Sequence, residues 1–462
     1  MTGGAFSPRR RELLGSALAL GALGLPGLAA AQAGAPRVLR AAPATHRLVG
    51  AAHPATPVWA YDGTIPGTLL RYRQGDRLRI EVVNAIEAPT TVHFHGIRLP
   101  NAMDGVPHLT QPPIEPGGKF LYDFALPDAG TYWYHPHLGS PEQVGRGLSG
   151  ALIVEEREPI PVDRDLVWVL SDWRLDGEAR IVPGFGNFMD ASHAGRIGNT
   201  VTVNGEVREQ VEVRAGERIR LRLVNASNAR IYGLDFRGHA PRVVALDGHG
   251  VPPHAPEGGL VVLGPAMRTD LILDMAGEPG STHAVVDGFY PRMAYRLLEL
   301  KYAPAPRAGR AGTPLARIAP NPLAEPDLST AERHEVVFGG GMMGRMPRFA
   351  SFRGMAWTVN GEAMKGHDHE PMLQLKHGRS TVLSMLNDTR FYHPIHLHGH
   401  VFRVLSVDGR PRPHREWRDT VLMAPGERTE IAFVADNPGK WMFHCHILEH
   451  QEAGMMAVIE VA

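Results

Sequence analysis

The only cysteine of the 462-residue chain, Cys445, lies between two histidines in the run His444-Cys445-His446. Another histidine, His450, follows five positions after the cysteine, and Met455 follows ten positions after it. One thiolate, imidazoles and a weak thioether form the ligand set of an electron-transfer copper site. Since a single cysteine cannot form an internal disulfide, we favour metal ligation over a buried free thiol.

The tripeptide around Cys445 predicts a two-sided arrangement if the backbone is extended. Successive side chains of a strand point to opposite faces. His444 and His446 would then share one face, while Cys445 would face the other way. The segment could hold a copper on its thiolate side and contact a second metal centre on its imidazole side, with only a few covalent bonds between them.

Four pairs of histidines spaced two apart stand out, which are His93-Phe94-His95, His135-Pro136-His137, His396-Leu397-His398 and His444-Cys445-His446. Eight ring nitrogens are too many for one ion and suit about three. Neutral imidazole binds copper, zinc and iron, and the neighbouring thiolate and thioether select copper. The rings can meet only if the beginning and the end of the chain pack against each other.

An internal repeat predicts the fold. Three segments ending at Asn84, Asn225 and Asn387 each show a turn followed by alternating apolar and polar residues, which is the pattern of a half-buried strand. The repeats are a whole domain apart, so we predict an all-β chain of three consecutive Greek-key β-sandwiches. His-x-His follows Asn84 and Asn387 at one offset, where the middle repeat has Leu234 and Phe236 instead.

Composition shifts give the predicted boundaries. A signal peptide covers 1–35, domain one covers 36–158, domain two, without copper ligands, covers 159–302, a Pro/Ala-rich linker covers 303–329, and domain three covers 330–462.

The beginning of the chain predicts export. Arg10 and Arg11 precede an apolar run over 13–28, and small residues over 29–33 offer a cleavage site. The run is too short to predict a stable membrane anchor. We therefore predict a periplasmic protein that is carried by the twin-arginine export machinery. Its 48 basic residues balance 48 acidic ones, which argues against a nucleic-acid partner.

In these motifs, and over essentially the whole mature chain, the sequence resembles the multicopper oxidases, the family of laccases, bilirubin oxidases and bacterial cuprous oxidases. The resemblance implies three cupredoxin-like domains and four copper ions. It implies a type 1 copper held by His393, Cys445 and His450, with Met455 as the axial ligand. It implies a type 2 copper held by His93 and His396. The implied ligands of the type 3 pair are His95, His135, His137, His398, His444 and His446.

The resemblance also implies a laccase-like enzyme that acts on diphenols or metal ions with O2 as acceptor. A donor loses one electron at the type 1 copper, electrons pass through Cys445 to His444 and His446, and O2 leaves as two waters. The donor stays open between a phenolic or aromatic compound and Cu(I).

Proteins of other kinds are alternatives to an oxidase. The main alternative is a non-enzymatic periplasmic copper-binding or storage protein in copper tolerance, which would not need Cys445 to join two centres. A metal-free relative serving cell division would lack the histidine pairs. A copper nitrite reductase would have two domains per chain.

Proton delivery is less clearly encoded. Asp104 follows His95 by nine residues, where the family has an acidic residue near the type 2 copper, so it is a candidate proton relay or else an Asp-Gly turn. Bacterial relatives often carry glutamate where this chain has Gln451, which leaves the second proton route open between Glu449 and Glu452.

Two further features have uncertain roles in the sequence. Asp388 and Asp419 are candidates for orienting imidazoles, although we favour plain loop aspartates. A methionine-rich stretch contains Met342, Met343 and Met346, with His367 and His369 further on. Thioethers bind Cu(I), but core packing is the favoured interpretation of these methionines.

Overall fold

The computed structural model describes residues 35–342, 355–364 and 370–462. Residues 1–34 of the predicted signal peptide, Met343, Met346, His367 and His369 therefore lie outside the described residues. Within the described ranges, no helix combines the length and the apolar character that crossing a bilayer requires.

Domain one is a sandwich of two four-stranded sheets. Its elements in chain order are β1 (Arg37–His46), β2 (Thr56–Tyr61), β3 (Gly67–Arg73), β4 (Arg77–Asn84), β5 (His93–His95), a 3-10 turn (Asn101–Met103), β6 (Lys119–Ala125), β7 (Gly130–His135), α1 (Ser140–Gly145) and β8 (Gly150–Glu155). The sheet orders are β2-β1-β4-β6 and β3-β8-β7-β5. β5 pairs antiparallel with β7, and His93 lies opposite His135, so this domain's two histidine pairs are neighbours.

Domain two is a larger sandwich of a six-stranded and a five-stranded sheet. Its elements are β9 (Arg164–Trp173), α2 (Phe188–Ser192), β10 (Thr200–Val203), β11 (Gln210–Val213), β12 (Arg218–Asn225), β13 (Tyr232–Phe236), β14 (Arg242–Leu246), β15 (His249–His254), a 3-10 turn (Glu257–Gly259), β16 (Val261–Leu263), β17 (Arg268–Asp274), β18 (Thr282–Asp287), a 3-10 turn (Pro291–Met293) and β19 (Tyr295–Tyr302). The sheet orders are β10-β9-β12-β17-β14-β15 and β11-β19-β18-β13-β16. Leu234 and Phe236 of β13 are buried in this domain's own core.

Domain three again has two sheets. Its elements are β20 (Glu332–Gly340), β21 (Trp357–Val359), β22 (Leu373–Leu375), β23 (Ser380–Asn387), β24 (His393–Leu397), β25 (Phe402–Val407), β26 (Arg410–Pro411), β27 (Trp417–Arg418), β28 (Thr420–Met423), β29 (Arg428–Val434), β30 (Gly439–Cys445), α3 (Leu448–Glu452) and β31 (Met456–Val461). One sheet has the order β21-β20-β23-β29-β25-β26, with β27 also on β25, and the other has the order β22-β31-β30-β24-β28. His396 lies opposite His444, which repeats the register of domain one.

The predicted fold class is confirmed, because the described chain consists of β-sandwiches of the cupredoxin-like type with only short helices. No helix or strand lies between Tyr302 and Glu332, where the linker is predicted. The predicted domain boundaries stay predictions.

The repeated asparagine has the same function in each sandwich. Asn84, Asn225 and Asn387 are fully buried, and the side-chain oxygen of each accepts a hydrogen bond from the backbone N–H two residues later. The amide group of each donates to backbone carbonyls beyond the strand. This Asx-turn fixes the start of the loop, so the strand that follows begins from an equivalent position in all three domains.

One expectation about the repeat is wrong. The sequence predicts a half-buried strand in every copy, yet β12 of domain two is buried along its whole length. Its polar side chains face domain one instead of solvent: Arg220 donates to Glu156 at 2.7 Å and to Asp270 at 2.7 Å, and Thr131 of β7 donates to Asp270 at 2.7 Å. Charges can be buried here because each is paired.

Domains one and three share a core. Their buried apolar residues form one continuous cluster, which includes Phe94 of β5 and Ile395 and Leu397 of β24, whereas domain two has a separate cluster. The histidine-bearing strands of the two domains are therefore held against each other.

Candidate metal centre

The four histidine pairs meet in a buried space between domains one and three. His93 stacks on His398 with ring centroids 4.0 Å apart, and His95 stacks on His396 at 3.8 Å. His137 meets His444 edge to face at 5.2 Å. The most exposed of the eight side chains is His137 at 4%. The predicted convergence of the first and last domains is thus confirmed in the geometry.

The ring nitrogens fall into three triplets, in each of which the ligand atoms lie within 4.8 Å of one another. The triplets are His93 with His95 and His396, His95 with His135 and His446, and His137 with His398 and His444. The last two triplets contain the six residues that the resemblance assigns to a type 3 pair. The first triplet contains the two residues that it assigns to a type 2 copper.

Two aspartates from different domains fix four of these rings. The Nδ1–H of His93 donates to the Asp104 backbone oxygen at 2.7 Å, and the Nδ1–H of His398 donates to Asp104 Oδ2 at 2.9 Å. The Nδ1–H of His396 donates to the Asp419 backbone oxygen at 2.7 Å, and the Nε2–H of His95 donates to Asp419 Oδ1 at 3.0 Å. Each bond selects one tautomer and leaves the opposite nitrogen for a metal.

Asp419 corrects an expectation. The favoured interpretation as a plain loop aspartate is wrong, because Asp419 is fully buried and its carboxylate pairs with Arg268. Asp388 is exposed, in agreement with that interpretation. No pattern in the sequence separated the two, since the partner of Asp419 comes from another domain.

The remaining nitrogens show that the site fits a metal. His135 and His444 each donate through Nδ1 to a backbone oxygen at 2.9 Å, of Pro136 and Cys445 respectively. Several buried ring nitrogens have no hydrogen-bond partner among the described residues, and these are Nε2 of His93, His135 and His396, Nδ1 of His95, and both nitrogens of His137 and His446. Buried polar atoms without partners are costly, and bound cations would satisfy these together.

Burial also sets the charge of the rings. Desolvation, assisted by the neighbouring imidazoles, holds the pKa of His95, His135 and His396 well below 6.5. Desolvation lowers the pKa of His444 to about 4. These four rings are therefore neutral near pH 7, which is the form that binds a metal.

These shifts predict how acid affects the metal-free protein. The unfolded chain binds protons at its histidines below pH 6.5 while the folded chain excludes them down to the lowered pKa, so the free energy of unfolding should fall as pH drops from about 6.5 to about 4. Urea unfolding of metal-free protein across that range measures the effect. The copper-loaded protein is the control and should lose less stability there, since bound metal competes with protons. A metal-free protein of constant stability over this range would contradict the prediction.

A second cluster lies directly behind the triplets. Cys445 Sγ is 3.4 Å from His393 Nδ1 and 3.7 Å from His450 Nδ1. The two Nδ1 atoms are 3.1 Å apart. Met455 is fully buried, and its backbone oxygen accepts from the Cys445 N–H at 3.0 Å. Burial raises the pKa of the Cys445 thiol, so loss of its proton depends on a nearby cation.

The outer nitrogens of this second cluster are also held. His393 Nε2 lies 2.8 Å from the Thr389 hydroxyl, and the Nε2–H of His450 donates to the His193 backbone oxygen at 2.6 Å. Trp357 packs 4.2 Å from the His450 ring and donates from Nε1 to the Ala191 oxygen. The Nδ1 atoms are thereby left to face Cys445, which fits a type 1 copper.

The tripeptide joins the two clusters as predicted. β30 ends at Cys445, whose side chain lies with His393 and His450, while His444 and His446 belong to different triplets on the other side. The path from Cys445 Sγ to either ring is covalent.

A loop of domain two covers the His450 side and was missed in the sequence. It follows α2 and supplies the His193 carbonyl described above, while α2 itself supplies the Ala191 carbonyl. At Gly195, which has φ +79°, an added Cβ would lie 2.6 Å from Ile447. Only glycine permits this close approach. A sequence gives no signal for contacts made by carbonyls.

The candidates for a second proton route differ in burial. Gln451 and Glu449 are buried, and Asn228 donates to Glu449 Oε1 at 3.0 Å. Desolvation raises the pKa of Glu449. Glu452 is exposed. Of the two glutamates, Glu449 alone lies in the interior.

Comparison with known proteins agrees with this geometry. Three family models, each described as multicopper oxidase, match residues 45–159, 164–289 and 343–462. The chain is 31% identical over 442 residues to the multicopper oxidase MmcO of Mycobacterium tuberculosis, covering 87% of this chain and 82% of the relative. It is 30% identical to laccase-1 of Fomitopsis schrenkii, covering 86% and 81%. A multicopper oxidase structure from Pseudomonas thermotolerans superposes with a TM-score of 0.83 at 40% identity, covering 93% of this chain and 99% of that one.

Proposed function

Because the chain belongs to the multicopper oxidase family, and is therefore an oxidoreductase, we propose that it couples one-electron oxidation of a donor to four-electron reduction of O2 to water. Bound copper would supply both redox steps, with a type 1 ion accepting electrons and a type 2 ion and a type 3 pair reducing O2. The observation that carries the proposal is the buried meeting of eight imidazoles directly behind a Cys-His-His cluster.

The ligand assignment follows the clusters. His393, Cys445 and His450 would hold the type 1 ion, with Met455 as a further, weak ligand. His93 and His396 would hold the type 2 ion. The type 3 pair would be held by His95, His135, His137, His398, His444 and His446. Support comes from the unpartnered nitrogens of rings such as His93 and His396, which are left for the triplets because the opposite nitrogens donate to protein acceptors.

Asp104 is proposed to carry protons as well as to orient rings. It is 1% exposed, and its Oδ2 accepts from His398 while its Oδ1 makes no hydrogen bond among the described residues. Oδ1 lies 3.3 Å from His93 Nδ1. A carboxylate oxygen held between two triplets can take up a proton and release it beside the oxygen being reduced.

Cellular location is proposed from the sequence signal. The twin-arginine pattern at Arg10 and Arg11 supports export to the periplasm through the twin-arginine machinery. Export of folded protein would suit a chain whose eight paired histidines are all buried.

Oxygen uptake by the copper-loaded protein tests the function. An oxidase consumes O2 with four equivalents of a one-electron donor and releases no peroxide, and it shows a visible thiolate band with a near-ultraviolet shoulder from a coupled copper pair. A copper-storage protein would bind the metal without steady oxygen uptake, and that result would refute the proposal.

Side chains of two kinds, thioethers and aromatic rings, could bind the electron donor. Met342 is 45% exposed, so its favoured interpretation as a core residue is wrong. The Met342 N–H donates to the Ser192 backbone oxygen at 3.1 Å, so Met342 lies beside the loop that covers His450. A cavity of about 450 Å3 lined by Met364, Met372 and Met456 also presents thioethers. Aromatic side chains near His393 suit a phenol as well, since Phe391 packs against Trp357 at 5.6 Å.

We expect replacement of Met342, Met343 and Met346 by leucine to lower oxygen uptake several-fold with Cu(I) and to leave uptake with a phenol unchanged, because thioethers bind Cu(I) and leucine does not. Met293→Leu is the matched control, since Met293 is 65% exposed in domain two and lines a different cavity. Equal uptake with Cu(I) in the triple variant and the control would exclude these methionines from donor binding.

A further inference from the structure

Arg268, the first residue of β17 in domain two, is fully buried and contacts all three domains. Its Nε donates to the Thr131 backbone oxygen of domain one at 3.1 Å. Nη1 donates to Asp419 Oδ1 of domain three at 2.8 Å and to Ala266 at 3.2 Å, while Nη2 donates to the Asp247 backbone oxygen at 3.0 Å and to Asp419 Oδ2. All five guanidinium N–H groups are thus used.

The two hydrogen bonds that Arg268 donates to Oδ1 and Oδ2 of Asp419 fix the plane of this carboxylate. Burial opposes the charge of Arg268, yet Asp419 and Asp247 together hold the pKa of Arg268 above its usual value. The guanidinium therefore stays charged in the interior and continues to hold Asp419.

The carboxylate in turn orients His95, together with the Thr420 hydroxyl, which lies 3.2 Å from His95 Nε2 and donates to Asp419 Oδ1 at 2.8 Å. Oδ1 accepts from His95 Nε2 at 3.0 Å, so Nδ1 is the nitrogen that faces the triplets. The other oriented rings of the triplets, such as those of His93 and His396, have Nδ1 engaged and leave Nε2 free. His95 is the exception, and it belongs to two triplets. A ring turned over at this position would present the wrong nitrogen to both.

The residue after His95 is adapted to this contact. Gly96 has φ +85°, and an added Cβ would lie 2.5 Å from Arg268 Nη2 and 2.5 Å from Asp419 Oδ2. A side chain there would separate the two partners. The backbone next to the metal site therefore leaves room for an arginine from a domain that supplies no imidazole.

We infer that Arg268 is a positioning residue of the trinuclear site, which acts through Asp419 to keep Nδ1 of His95 directed at the metal. The inference rests on the proposed function. It gives domain two a defined role in copper binding although none of the imidazoles comes from it.

The test compares copper-loaded R268Q with R220Q. Arg220 is an equally buried arginine of domain two, paired with Glu156 and Asp270, and it touches none of the histidine pairs. For R268Q we expect about tenfold weaker retention of copper against a chelator, the lower end of the loss typical when the partner of a ligand is removed. The near-ultraviolet shoulder should fall and more copper should become detectable by electron paramagnetic resonance, while the thiolate band stays. R220Q should keep the wild-type spectrum.

R268K covers the case in which R268Q does not fold. Lysine keeps the charge but reaches one carboxylate oxygen as a point donor, so a shoulder between those of the wild type and R268Q is expected. A full wild-type shoulder and chelator resistance in R268Q, or in R268K where R268Q is not obtained, would overturn the inference. An equal loss of the shoulder in R220Q would also overturn it. A wild-type protein without the shoulder would instead refute the proposed function.

Discussion

Cys445→Ser is expected to abolish donor oxidation and the visible thiolate band of the copper-loaded protein. A hydroxyl does not replace the soft thiolate between His393 and His450, and the covalent path to His444 and His446 then no longer starts at a metal ligand. Loss of a ligand should exceed the roughly 100-fold upper end expected for loss of a ligand's partner. Oxygen uptake with a phenol and with Cu(I) measures the change.

The same variant contains its own control. His444 donates to the Cys445 backbone oxygen, which serine retains, so the triplets should keep their copper and the near-ultraviolet shoulder should survive. A C445S protein that still oxidises either donor with uptake of O2 would show that electrons do not enter through this residue.

Asp104 should give the second large effect, and two substitutions separate its two roles. Asp104→Asn keeps an oxygen that can accept from His398 Nδ1, so copper content should remain. The amide cannot carry a proton as a carboxylate does, so oxygen reduction should slow by about 100-fold or more. Asp104→Ala also removes the acceptor, and copper affinity should fall by about 10-fold to 100-fold. Copper per chain and turnover, measured side by side, distinguish the variants.

Asp104→Asn with wild-type turnover would remove the proton role and leave orientation alone. Asp388→Asn is the matched control, because Asp388 follows a strand in domain three but is exposed. It should change neither copper content nor turnover.

The sequence predicted the sandwiches and the histidine clusters because their signals are periodic. Asn84, Asn225 and Asn387 mark equivalent strand ends, and each buried side chain makes the same turn. His-x-His at one offset in two of the three repeats placed the candidate ligands. Such features depend on residue type and spacing along one strand, which a sequence records directly.

Contacts between distant segments were not predictable in the same way. Asp419 is fully buried because Arg268 lies opposite it, and the two are 151 positions apart in the chain. The polar face of β12 is buried for the same reason, since Glu156 and Asp270 meet Arg220 there. Alternation in a strand reports which side chains share a face, but not what covers that face.

Five imidazoles of the two clusters donate to main-chain oxygens. In chain order the donors are His93, His135, His396, His444 and His450, and the oxygens belong to Asp104, Pro136, Asp419, Cys445 and His193 respectively. Every amino acid carries such an oxygen, so replacement of the residue alone does not delete the acceptor. In related chains another residue could therefore replace His193 and still provide this acceptor. An insertion or deletion between α2 and Gly195 would instead move the backbone oxygen away from His450. We therefore expect homologous chains to differ in amino-acid identity at this loop but to keep its length.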